Sequence, residues 1–111
     1  MININTQMKK GVLELIVLKA INKKDMYGYE LIEMISKVID INDGTIYPLL
    51  KRLTNEKYAE TYLVESNEGP IRKYYKITDL GKNYMDELVS SWNQISKSVT
   101  NFIKECEKNE K

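Results

Sequence analysis

Residues 41–53 read INDGTIYPLLKRL. Ile46, Leu49, Leu50 and Leu53 recur at i, i+3, i+4 and i+7, the spacing of one helix face. Gly44 and Pro48, the two poorest helix formers, stand in the first half of the same segment. With Ile46 as origin and ~100° per residue, the other three apolar residues fall within ~60° of it. Gly44, Pro48, Lys51 and Asn55 fall on the far side, with Thr45 and Arg52 at one edge and Tyr47 at the other. Both anomalies therefore point away from a core. Gly44 lets a partner backbone approach the N–H groups of a first turn. Pro48 cannot bond the Gly44 carbonyl, and it disfavours helical angles at Tyr47. Two readings stay open on pattern alone. In one, the helix begins before Pro48 with a distorted first turn and Asn42 as its cap, Ile41 stapling to Ile46. In the other, it starts at Pro48 behind a loop.

Upstream, residues 8–22 (MKKGVLELIVLKAIN) are apolar nearly all round a helical wheel, which predicts a central helix buried on several sides. Residues 26–39 (MYGYELIEMISKVI) place Tyr27, Leu31, Met34, Ile35 and Val38 on one helical face, with Asp25 at the start as a capping candidate. The link to the third helix, near DIN, is very short, so these two helices form a helix-turn-helix candidate. Downstream, KYAETYLVES alternates, SNEGP signals a turn and IRKYYKI supplies a second strand. Such a hairpin must lean on the helices to persist. Tyr74 and Tyr75 alternate faces, so one of them packs inward.

Thr78 ends the hairpin and caps the final segment, with Asp79 in its first turn. From there to Cys106, the residues Met85, Leu88, Trp92, Ile95, Val99, Phe102 and Cys106 are spaced 3, 4, 3, 4, 3, 4. This is an a/d seam held for three heptads, on a helix ~40 Å long. A projecting apolar stripe needs a partner, most simply a second copy of the chain. These seven residues are the predicted dimer interface.

The order of elements predicts a mostly α fold with a small β-hairpin: a winged helix-turn-helix over residues 1–77, then a long C-terminal dimerisation helix over 78–111, in one compact unit. Its 111 residues suit one domain, and 42% hydrophobic and 30% charged content read as globular. No apolar run has membrane-spanning length, and MININTQMKK has no signal-peptide character, which points to the cytoplasm. The single cysteine fits a reducing compartment. With no histidine in the chain, neither a structural metal site nor a Ser-His or Cys-His nucleophile is expected, and no cofactor fingerprint is present. The chain is not expected to be an enzyme. Net charge is +1, divided as +2 over residues 1–77 and −1 over 78–111, so any basic surface is a local patch.

DGTIYPLLKRL, with Gly28-Tyr29-Glu30-Leu31 upstream and RKYYKIT followed by Gly81 downstream, resembles the PadR-type transcriptional repressors over residues 8–106. The final helix, with SSW at 90–92, looks most like the short subfamily that includes multidrug-sensing repressors. The resemblance implies a homodimer on palindromic double-stranded operator DNA, and it favours a recognition helix that starts before Pro48. The expected DNA-binding set is Asn42, Gly44, Thr45, Tyr47, Lys51 and Arg52 on that helix, with Arg72 and Lys73 on the wing. Lys51 and Arg52 are of the type that meets phosphates. Asn42 serves as a cap, as a phosphate contact, or as both. In multidrug-sensing relatives the matching tryptophan stacks on flat aromatic ligands. That implies a small-molecule site at the dimer interface around Trp92, with Met8, Val12 and Leu15 as further lining. The competing reading is a winged-helix protein-interaction module without DNA binding, which the near-neutral charge permits.

Overall fold

The computed structural model describes residues 6–108, with side chains described from residue 11 onward. The elements run α1 (Thr6–Lys23), β1 (Met26–Tyr27), α2 (Gly28–Ser36), α3 (Asp43–Asn55), β2 (Ala59–Ser66), β3 (Gly69–Ile77) and α4 (Asp79–Lys108). α1 is the pillar that the apolar run predicts. Leu13, Val17, Leu18, Ala20 and Ile21 are buried, and α1 meets α2, β3 and α4. The core is completed by Leu31 and Ile35 of α2, by Ile46, Leu50 and Leu53 of α3, and by Tyr75, Ile77 and Met85.

Two boundaries differ from the sequence reading. Residues 26 and 27 are extended rather than helical. They pair antiparallel with Tyr75 and Tyr74, which turns the expected hairpin into a three-stranded sheet of order β1-β3-β2. α2 therefore starts two residues late, and Asp25 does not cap it. The Glu30 carboxylate accepts from the Tyr27 N–H at 3.3 Å, while Asp25 accepts from the Tyr62 hydroxyl at 2.6 Å. α2 also stops at Ser36 rather than Ile39, with the Val38 and Ile39 N–H groups both closing on the Ile35 carbonyl.

α3 starts at Asp43, so Pro48 lies inside it. The Thr45 and Ile46 N–H groups bond the Asn42 carbonyl and hold the first turn ahead of the proline. Ile46 is 0% exposed, and its burial holds Tyr47 in the helical region that a following proline disfavours. At the other end Lys57 has φ 70°. Its N–H bonds the Thr54 carbonyl and the Tyr58 N–H bonds the Leu53 carbonyl, a Schellman closure in which a lysine occupies the left-handed position that glycine prefers.

Thr78 joins the sheet to α4. Its hydroxyl accepts from the Gly81 N–H at 2.9 Å and donates to the Lys57 carbonyl at 2.7 Å. Gly81 is buried, and a Cβ there would overlap the Tyr58 carbonyl oxygen. α4 then runs 30 residues and gives the molecule its long dimension of 67 Å. The seven-residue seam does not act as one surface. Met85 is buried in the protomer's own core and Leu88 is half-buried against it, so Met85 is not an available interface residue. The first turns of α4 have to cover α1, and only later turns outrun the domain. From Trp92 onward the stripe is free, with Ile95, Val99, Phe102 and Ile103 exposed, as is Cys106.

Candidate nucleic-acid interface

The side of α3 opposite the core carries Asn42, Gly44, Thr45, Tyr47 and Lys51, all exposed. The Thr45 hydroxyl donates to Asn42 Oδ1 at 3.4 Å, so Asn42 binds locally besides lending its carbonyl to the first turn. A Cβ on Gly44 would come within 3.2 Å of that same Oδ1. The N-terminal turn of α3 thus presents small or short polar groups and its backbone.

β3 brings Arg72 and Lys73 alongside. A cleft of about 450 Å³ lies between α3, the start of α2 and the wing, and Tyr27, Gly28, Tyr47, Arg72 and Lys73 are among its lining residues. Lys73 also borders a second cleft of about 290 Å³ with Lys51, Asn55 and Thr61. Tyr47, Arg72 and Lys73 thus border the first cleft, and Lys51 and Lys73 the second. Asn42, Gly44 and Thr45 stand at the helix tip. The wing itself is solvent-facing, and in β2 only Ala59 is buried.

Tyr47 is half-packed. Its ring lies on Gly28, where a Cβ would sit 2.5 Å from the ring carbon Cε1. This contact explains the glycine of the Gly28-Tyr29-Glu30 segment: only a bare backbone leaves room for the tyrosine. Burial pushes the Tyr75 hydroxyl up in pKa, and the neighbouring Tyr47 adds to the effect.

Arg52 faces the other way. Its Nη1 donates to Glu14 of α1 at 3.3 Å and to Glu56 at 3.4 Å. The bond to Glu14 is the main reason its pKa is raised. Glu14 is a buried carboxylate in the apolar run of α1. Burial first, and this neighbouring carboxylate second, push the Tyr84 hydroxyl of α4 up in pKa to about 12. Tyr84 in turn stacks on Tyr58 at 4.2 Å. Arg52, expected to meet phosphate, is instead held between α1 and α3. The sequence reading missed Glu14, although a lone carboxylate inside VLELIV was the available signal.

A third, apolar groove of about 370 Å³ runs between α1, α2 and α4. Leu15, Ile16, Ala20, Met34, Val38 and Trp92 line it, with Trp92 about half exposed. Leu15 and Trp92 thus border one groove. Val12 packs on the core instead, and Met8 lies outside the described side chains. Among the described residues no helix is long and apolar enough to cross a membrane.

Residues 17–87 match the Transcriptional regulator PadR-like family. An uncharacterized protein of Lysinibacillus sphaericus is 34% identical over 94% of this chain and 99% of its own length. Among solved structures, a PadR-like transcriptional regulator from Bacillus cereus is 43% identical, with a TM-score of 0.80 over 88% of this chain and 97% of that one. A Streptococcus transcriptional regulator is 35% identical, with a TM-score of 0.80 over 88% and 98%. The two solved structures share the winged helix with its long terminal helix, and the family is one of regulators rather than enzymes. With its matching stretch running from α1 into the start of α4, the chain belongs to the PadR-like family of transcriptional regulators.

Proposed function

We propose that the protein is a cytoplasmic repressor that binds palindromic operator DNA as a homodimer. Residues 1–77 form the reading head and residues 78–111 the dimerisation helix. The observation that carries this reading is the pair of open clefts between α3 and β3, the first lined by Tyr47, Arg72 and Lys73 and the second by Lys51 and Lys73. Two α3 helices enter successive major grooves, with half-sites ~34–36 Å apart or a multiple of it. Trp92, Ile95, Val99 and Phe102 supply the self-association surface, being apolar, periodic and exposed in the single protomer. Lys51, Arg72 and Lys73 neutralise phosphates, while Asn42, Gly44, Thr45 and Tyr47 lie at the groove. Arg52 leaves the contact set because its partners are within the protomer.

Selection of bound sequences from random duplexes tests class and symmetry together. A two-fold symmetric consensus is the expected result, and recovery of no sequence over background overturns the reading. Measured salt dependence separates it from a protein-interaction module, since phosphate binding weakens steeply as salt rises.

A second reading concerns a small aromatic ligand that enters beside Trp92 at the dimer interface and lowers operator affinity. The observation behind it is that Trp92 stands at an apolar groove. Quenching of tryptophan fluorescence by planar cationic dyes is expected, and no response across a broad dye panel overturns it.

A further inference from the structure

The chain has two arginines. Arg52 is occupied by Glu14 and Glu56. Arg72 forms no ion pair among the described residues, and its guanidinium carbon sits 4.6 Å from the centroid of the Tyr27 ring. That ring is not free to follow it. Tyr27 and Tyr62 both lie opposite Tyr74 in the sheet register, and the three rings form a row across β1, β3 and β2. Tyr27 meets Tyr74 at 5.5 Å, and Tyr74 stacks on Tyr62 at 5.6 Å and 15°. Tyr29 stacks on Tyr27 at 6.4 Å and 18°. The Tyr62 hydroxyl is fastened to Asp25 just ahead of β1.

A guanidinium lying on a ring face keeps its N–H edge open, and that edge is the part that grips a phosphate through two parallel bonds. Arg72 stands over the Tyr27 ring in the cleft that Tyr47 and Lys73 also line. We infer that Tyr27 is a positioning residue for DNA: it pre-orients Arg72 to grip one phosphate of the operator backbone between the wing and the recognition helix. The ring contributes no charge. It removes the ordering cost that a free arginine bears when it binds. This inference rests on the DNA-binding reading and assigns a role to a residue outside the recognition helix and the wing tip.

The test measures affinity for a duplex recovered by the selection above, over a range of salt concentrations. Tyr27→Leu is expected to weaken binding by about two- to fivefold per head, the scale of an exposed cation–π contact. It leaves the slope of log affinity against log salt unchanged. Tyr27→Phe, which keeps the ring face, restores wild-type affinity. Arg72→Ala flattens the slope by about 0.9 per head. In an Arg72→Ala background, Tyr27→Leu adds no further loss.

Arg72→Lys reads the same point should Tyr27→Leu fail to fold, since it keeps the charge but loses the planar edge. It is expected to lose affinity at constant slope. The inference is overturned if Tyr27→Leu costs as much in the Arg72→Ala background as in the wild type, or if Tyr27→Phe is as weak as Tyr27→Leu. It is equally overturned if Arg72→Ala leaves the slope intact or Arg72→Lys binds like wild type. A wild-type protein that binds no duplex in dilute buffer removes the DNA reading itself, and this inference with it.

Discussion

The Glu14 carboxylate and the Arg52 guanidinium lie 3.3 Å apart across the contact of α1 with α3, and the carboxylate side chain is only 11% exposed. The bond reaches over 38 positions of chain and fixes the recognition helix to the central one. Arg52 itself keeps substantial solvent contact. The two partners are therefore unequal: losing Arg52 strands a buried charge, whereas losing Glu14 frees a cation that water can solvate.

Arg52→Ala is accordingly expected to destabilise the protein by about 1–3 kcal/mol. Adding Glu14→Gln should recover part of the loss by removing the stranded charge. Urea denaturation of the four proteins in this cycle checks it. Operator binding by folded Arg52→Ala should keep the wild-type salt slope. Lys51→Ala should do the reverse, with unchanged stability and a slope reduced by about 0.9 per head.

The division of α4 makes a second prediction. Phe102→Asp should leave the protomer's secondary structure intact and convert the proposed dimer to monomer, since Phe102 is 70% exposed in the single chain. Removing that burial costs about 1.5–3 kcal/mol per protomer, enough to raise the dissociation constant by tenfold or more. Met85→Ala should instead lower the melting temperature through a core cavity of about 2–5 kcal/mol. Light scattering and thermal melts separate the two outcomes.

Tyr84 gives the protein an alkaline limit. Its folded pKa is raised to about 12 by burial first and by the neighbouring Glu14 carboxylate second, against ~10 for an unfolded tyrosine. The folded state therefore retains this proton where the unfolded state has lost it, and stability falls as pH rises. The contribution is complete below pH ~10 and disappears across the interval up to about 12. Tyr84→Phe should show a smaller drop in urea midpoint between pH 9 and 11 than the wild type.

Lys57 is the fourth site. A non-glycine residue at φ 70° carries a steric penalty of about 1–2 kcal/mol. Lys57→Gly should relieve most of it, offset by the greater flexibility of glycine in the unfolded chain, for a net gain of about 0.5–1 kcal/mol. The carbonyl that receives the Thr78 hydroxyl is kept. A higher urea midpoint with unchanged slope is the expected readout.

Much of this architecture could be read from residue spacing. The inward face of α3 was legible because Ile46, Leu50 and Leu53 repeat with helical period and are all fully buried. The start of α3 was not, because Pro48 sets local preference against a helix, and only burial of Ile46 decides between the two. β1 was invisible because two residues carry no periodicity of their own, and their pairing depends on strand residues nearly 50 positions away. The seam of α4 was seen, but a heptad pattern does not say where intramolecular packing stops, so Met85 was grouped with residues that face outward. Arg52 pointed to phosphate by its type, its place on the helix edge and the resemblance. Glu56, four residues on, was a legible partner, but Glu14 lies in another helix and no local pattern joins it to Arg52.

The junction at Thr78 has one more implication. Gly81 rests on the Tyr58 carbonyl and the Thr78 hydroxyl bridges both sides, so the head has no swivel where it meets α4. α4 then behaves as a stiff lever ~45 Å long. In the proposed dimer the levers cross near Val99, ~30 Å from Thr78, so a tilt of ~7° there would carry each head ~3.7 Å, more than the ~3.4 Å rise of one base pair. Angular play at the far end of the shaft would thus be felt as misregistry on the duplex.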